Sequence, residues 1–111
     1  MPCYIQYPAG YQPVQFIDGE RIRKAVCAYF NVSYRELQKS SRVRRLSYVR
    51  QVSFYLLRNY STDSLNMIGS RYGSRDHTTV IYGANKIREL MKIYPEVEDD
   101  LKQIVSIFKQ S

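Results

Sequence analysis

The sequence predicts an all-α bundle of about six helices organised around a helix-turn-helix, and three adjoining stretches carry that reading. Residues 64–71 form a short segment with helical apolar spacing, Tyr72-Gly73 breaks it, and Val80, Ala84, Ile87 and Met91 then recur at positions i, i+4, i+7 and i+11. A short helix, a Gly-containing turn and a longer second helix make the layout in which the second helix enters the major groove of duplex DNA. The polar residues of its first turn are then the ones placed to meet base edges.

Each element has its own local cause. Residues 1–17 hold Pro2, Pro8 and Pro13, Gly10 and four aromatics without helical period, which predicts an extended arm. The domain proper is expected over 18–111. Asp18 is a candidate N-cap and Glu20 suits the positive end of a dipole, so a first helix follows with Ile22, Val26, Tyr29 and Phe30 on its apolar face and Asn31 as its stop. Ser33-Tyr34-Arg35-Glu36 has capping-box spacing for a short second helix ending near Gln38. Residues 39–45, polar and basic with only Val43 apolar, read as a loop before a third helix whose inner face is Val49, Val52, Leu56 and Tyr60. Ser61-Thr62-Asp63 offers cap chemistry for the fourth helix. Gly69 lies inside that helix at a cost of about 1 kcal/mol relative to Ala, which close packing of another backbone would explain. Gly73 fits a left-handed C-terminal position. Pro95 opens a last helix with Glu96, Glu98, Asp99 and Asp100 near its start and Val97, Leu101, Ile104 and Phe108 on its apolar face.

Charge narrows the partner. Residues 21–92 carry 15 basic and 4 acidic side chains, whereas 1–20 and 93–111 are each net −2. Between Leu37 and Thr62 lie six basic residues and no acidic one. A basic centre favours a polyanion, with nucleic acid the default. No apolar run reaches the ~18 residues of a membrane span, and Met1-Pro2-Cys3-Tyr4 is not a secretory leader, so a cytoplasmic, nucleoid-associated protein without a membrane partner is expected. Cys3, Cys27 and the single His77 are too few and too far apart for structural zinc, and both cysteines read as reduced thiols, Cys27 buried. No phosphate-loop pattern Gly-x-x-x-x-Gly-Lys-Ser/Thr occurs, so neither a nucleotide nor another cofactor is expected. Catalysis is disfavoured, since Asp76 and His77 are neighbours pointing about 100° apart on a helix and no second histidine is present.

Gly73-Ser74-Arg75-Asp76-His77-Thr78-Thr79-Val80 resembles the signature of the C-terminal DNA-binding domain of DnaA, the bacterial chromosomal replication initiator. The resemblance covers about residues 20–93. It includes Ile-x-x-x-Val-x-x-Tyr-Phe at 22–30, Val-Ser-x-x-x-Leu at 32–37, the basic stretch at 39–45, Arg50-Gln51, Ile68-Gly69 and Lys86-Ile87. It implies a DnaA C-terminal or Trp-repressor-like bundle that reads duplex boxes resembling those of replication origins. By position, Asp76, His77, Thr78 and Thr79 would face bases in the major groove and Arg42 would enter the minor groove. Arg44, Arg45, Arg50, Arg58, Arg75 and Lys86 would lie near phosphates. The chemistry suits those roles: a carboxylate accepts from cytosine N4, a Thr methyl packs on a thymine methyl, and Arg favours a narrow minor groove. The chain departs from the family at Tyr48-Val49-Arg50, where Arg-Pro-Arg is frequent, and at Asn85, where a basic residue is common; Gly83 is expected to weaken the middle of the recognition helix.

Each position also has a plain reading. Asp76 can be a first-turn acid serving the helix dipole; His77 a capping or packed histidine; Thr78 and Thr79 surface residues; Arg42, Arg44 and Arg45 a solvated loop; and Lys86 an ordinary exposed lysine. Two functions follow. One is a stand-alone replication or regulatory accessory, without an ATPase module, that binds duplex DNA specifically. The other is an interaction module of the same fold that modulates an initiator or other regulatory protein, motivated by the Tyr-rich arm and the acidic start of the last helix.

Overall fold

The computed structural model describes residues 16–39 and 43–110, and its secondary structure consists of six helices: α1 (Gly19–Phe30), α2 (Tyr34–Gln38), α3 (Arg44–Tyr60), α4 (Leu65–Arg71), α5 (His77–Ile93) and α6 (Pro95–Gln110). The first two follow their local signals closely. Asp18 accepts from the Glu20 N–H at the start of α1, and Asn31 ends it in the left-handed region at φ 56°. Ser33 and Glu36 close a reciprocal capping box on α2. The extended arm expected at 1–17 lies outside the described residues except for Phe16 and Ile17, whose N–H donates to the Tyr60 carbonyl at 2.7 Å.

Two boundaries differ from expectation. Arg44 and Arg45 are not loop residues; they form the first turn of α3, where the Ser47 N–H bonds the Val43 carbonyl at 3.0 Å. Arginine is a good helix former, and the Arg45 guanidinium donates to the Phe30 carbonyl in the last turn of α1, so this turn is anchored from outside. The N-cap of α4 is Ser64, not a residue of 61–63. Ser61 is already committed to the end of α3, its hydroxyl donating to the Leu57 carbonyl at 2.7 Å. Asp63 pairs instead with Arg71 at 3.2 Å.

The core is one cluster drawn from every helix, with Ile22, Leu37, Val52, Leu56, Ile68, Val80, Ile87, Ile104 and Phe108 at 0–1% exposure. Helix α3 runs through its middle and touches α1, α2, α4 and α5, the last most extensively. Gly83 has a purpose beyond the helix-weakening expected of it. It is buried where α5 crosses α3, and a Cβ there would stand 2.8 Å from the Phe54 ring and 3.2 Å from Gln51 Cγ. Helix α6 is pinned across the bundle by Asp100, whose carboxylate accepts from the Tyr29 hydroxyl at 2.7 Å and the Tyr48 hydroxyl at 2.9 Å. The bond to Asp100 raises the Tyr29 phenol above its ordinary range, while burial and then the same carboxylate raise that of Tyr48. Cys27, expected buried, is half-buried, and that burial raises its thiol pKa. Among the described residues no helix is long and apolar enough to cross a membrane.

Candidate nucleic-acid interface

Helix α4, the turn at 72–76 and α5 form the helix-turn-helix. The turn is tight because two glycines admit backbone where side chains would stand. A Cβ on Gly69 would lie 2.0 Å from the Arg75 carbonyl oxygen, which is the close backbone approach expected for a glycine inside a helix. The Gly69 carbonyl in turn accepts from the Arg75 N–H at 2.9 Å. Gly73 adopts φ +84°, and a Cβ there would meet the Gln38 carbonyl oxygen at 2.2 Å, so both conformation and space demand glycine. The turn is thereby wedged against the end of α2.

Asp76 is the N-cap of α5. Its carboxylate accepts from the Thr79 N–H at 2.9 Å and the Thr79 hydroxyl at 3.1 Å. The Thr79 backbone bond, then its hydroxyl bond, holds the Asp76 carboxyl below the usual carboxylate range. The carboxylate is fully exposed and keeps lone pairs beyond the cap, so capping and base contact are compatible. His77, Thr78 and Thr79 are all exposed, while Val80 beside them is wholly buried. The helix thus presents its first turn outward and anchors itself one residue later.

The basic residues predicted to flank it separate into two groups. Arg44, Arg58 and Lys86 are exposed, on α3, α3 and α5. Arg45 is also exposed, with its guanidinium on the Phe30 carbonyl. Arg50 is only 5% exposed, donating to the Lys39 carbonyl at 3.4 Å and the Ser47 hydroxyl at 3.3 Å. Arg75 is half-buried, donating to the Tyr72 carbonyl and, at 3.0 Å, to the same Lys39 carbonyl. Burial weakens the charged form of both, and at Arg50 the Arg75 charge adds to that. These two arginines therefore join α3 and the turn before α5 to the residue at which the basic stretch leaves α2. Arg42 lies outside the described residues.

Sequence reasoning missed this convergence because a backbone carbonyl carries no residue signature. It also missed Arg88, exposed on α5 and facing Arg58 across a cleft. Among the described residues no group of three or more His, Cys, Asp or Glu side chains is arranged to hold a metal ion.

Comparison with known proteins matches residues 19–87 to the family model described as the bacterial dnaA protein helix-turn-helix. Similar relatives include the chromosomal replication initiator protein DnaA of Crocosphaera subtropica, 40% identical over 85 residues, which are 77% of this chain and 19% of the relative. That of Cereibacter sphaeroides is 37% identical over 83 residues, 75% of this chain and 18% of the relative. That of Enterococcus faecalis is 33% identical over 87 residues, 78% and 20% respectively. The chain spans about a fifth of the length of the curated relatives it matches.

Proposed function

Since this chain belongs to the bacterial DnaA helix-turn-helix family, we propose that it binds duplex DNA sequence-specifically, with α5 in the major groove and the stretch around Arg42 in the adjacent minor groove. The observation that carries this reading is the exposed first turn of α5, His77, Thr78 and Thr79, held rigidly by a turn in which backbone meets backbone. Rigid presentation matters because base readout depends on hydrogen bonds and methyl contacts set to within fractions of an ångström.

The roles divide by exposure. Thr78 and Thr79 offer methyl groups to thymine, and Asp76 offers free lone pairs to cytosine N4. The Thr79 hydroxyl serves the cap, which leaves its methyl as the part that reads. Arg44, Arg58 and Lys86 neutralise phosphates. Arg50 and Arg75 act chiefly as positioning residues, holding the Lys39 end of the basic stretch in register with α5. In the cell the protein serves replication initiation or its regulation as a DNA-binding accessory, and this role requires no catalytic chemistry from the chain.

Selection from a random duplex pool at near-physiological salt tests the reading. It expects enrichment of one box resembling those of replication origins. Binding without enrichment that disappears as salt rises would reduce the protein to a basic surface, and the search would move to a protein partner.

A further inference from the structure

Next to the Gly83 contact, α3 and α5 border a cleft of about 350 Å³ lined by Tyr55, Arg58, Asn59, Ala84, Asn85 and Arg88. It contains two guanidiniums and no carboxylate. Among the described residues neither arginine is in an ion pair, and the nearby Glu89 carboxylate is paired with Lys92 at 3.3 Å. Arg58 Nη1 donates to Asn85 Oδ1 at 3.5 Å, which leaves the Asn85 amide nitrogen as a donor. The Asn59 side chain is turned to the Tyr55 carbonyl at 2.7 Å. Two cations drawn to one polar hollow repel each other until an anion sits between them, and guanidinium forks match the oxygens of phosphate.

We propose that Arg58 and Arg88 together seat one phosphate, and that it belongs to the backbone of the duplex whose bases α5 reads. The inference deepens the DNA-binding reading and rests on it. Its geometry follows from the helix. Asn85 is seven residues after Thr78 and so shares its stripe, which carries the reading face directly into the cleft. Arg88 is ten residues after Thr78, roughly 15 Å along the axis. The major groove is about 12 Å wide, so side chains at that distance from the base-facing turn have reached the groove wall, where the phosphates are. Arg88 thus extends the footprint without adding sequence information.

The test is salt-dependent binding of Arg58→Gln, Arg88→Gln and the double variant to one selected duplex and its scrambled counterpart. Both side chains are exposed, so an unchanged melting temperature is expected and confirms the fold. Each single variant should weaken both duplexes severalfold alike while leaving the log–log salt slope nearly unchanged, because the remaining arginine still neutralises the phosphate. The double variant should flatten the slope by about 0.9, one phosphate, and a flattening of about 0.9 in each single variant that adds to about 1.8 in the double would overturn the shared seat. An Arg88→Gln protein with wild-type affinity and slope, beside an Arg58→Gln protein that is weakened, would overturn the shared seat while leaving DNA reading intact. A second arm follows the Arg58 and Arg88 side-chain Nε resonances of the wild-type protein. If inorganic pyrophosphate shifts them and bound duplex does not, the seat takes a free polyphosphate and the DNA assignment is wrong. Failure of the wild-type protein to bind any duplex would overturn the DNA-binding reading itself.

Discussion

Between α4 and α5 the chain turns over residues 72–76, and close backbone contacts shape that turn. Gly69 lies against the Arg75 carbonyl, Gly73 against the Gln38 carbonyl, and Asp76 caps the helix that follows. The approach to α3 is built differently. Val43, its N-cap, supplies no capping side chain, and α3 has no acid in its first turn. Order at the near end of that stretch comes from Lys39, whose carbonyl is held by Arg50 and Arg75. One connection is shaped by its own backbone, whereas at the other the described residue Lys39 is tied to its neighbours. The face proposed to read bases is thus fixed by the turn itself, and Lys39 is joined to that turn through Arg75 and to α3 through Arg50.

The comparison can be broken most severely at Gly69. Gly69→Ala should cost about 3 kcal/mol through a clash with a carbonyl that cannot rotate away, with only about 1 kcal/mol returned by helix propensity. Denaturant titration should show the loss, and DNA binding should fall with it. A variant as stable as wild type would mean that the turn is looser than its geometry states. Next comes Thr78→Ala, expected to cost about 1–3 kcal/mol at a single base pair and nothing in stability. Binding to duplexes substituted one position at a time would reveal it, and a uniform loss across the panel would remove Thr78 from the readers.

Arg75→Gln addresses the tie between the two connections. It should lower stability by about 1 kcal/mol and weaken all duplexes alike, and Arg75→Lys should fail to rescue it because an ammonium lacks the fork that spans the Tyr72 and Lys39 carbonyls. Rescue by lysine would show that charge alone matters there. Tyr48→Phe is the complementary control, since its hydroxyl bonds α6 and neither connection. Loss of its bond to Asp100 should cost about 1 kcal/mol and leave the DNA sequence preference unchanged.

The smallest effect expected is a pH dependence at the start of α5. The Asp76 pKa is lower folded than unfolded, so its contribution is present above the unfolded value of about 3.9 and is lost as pH falls through the folded one. Amide exchange at Thr79 should accelerate on acidification through that window in the wild type and not in Asp76→Asn, which keeps a capping oxygen without the titration. Equal acceleration in both would assign the effect to another group.

The sequence by itself determined the helices and most of their ends. Asp18, Ser33, Asn31 and Pro95 act on backbone within four residues of themselves, so their effects are local and legible. The turn was legible too, because Gly69 and Gly73 are residues that few other requirements explain, and the outward face of Thr78 follows from the inward face of Val80. What only the tertiary structure decided lies where partners are distant in the chain. Arg50 and Arg75 reach Lys39 across 11 and 36 residues, and Tyr29 and Tyr48 reach Asp100 across 71 and 52. Nothing local distinguishes a buried Arg50 from an exposed Arg58, or shows Arg88 facing Arg58 across a cleft. A helix has one strong periodic signal, its apolar stripe, and that signal states which side is inside. Which charged side chains then meet depends on how two such helices cross, and here the crossing is set by Gly83 against Phe54 and Gln51.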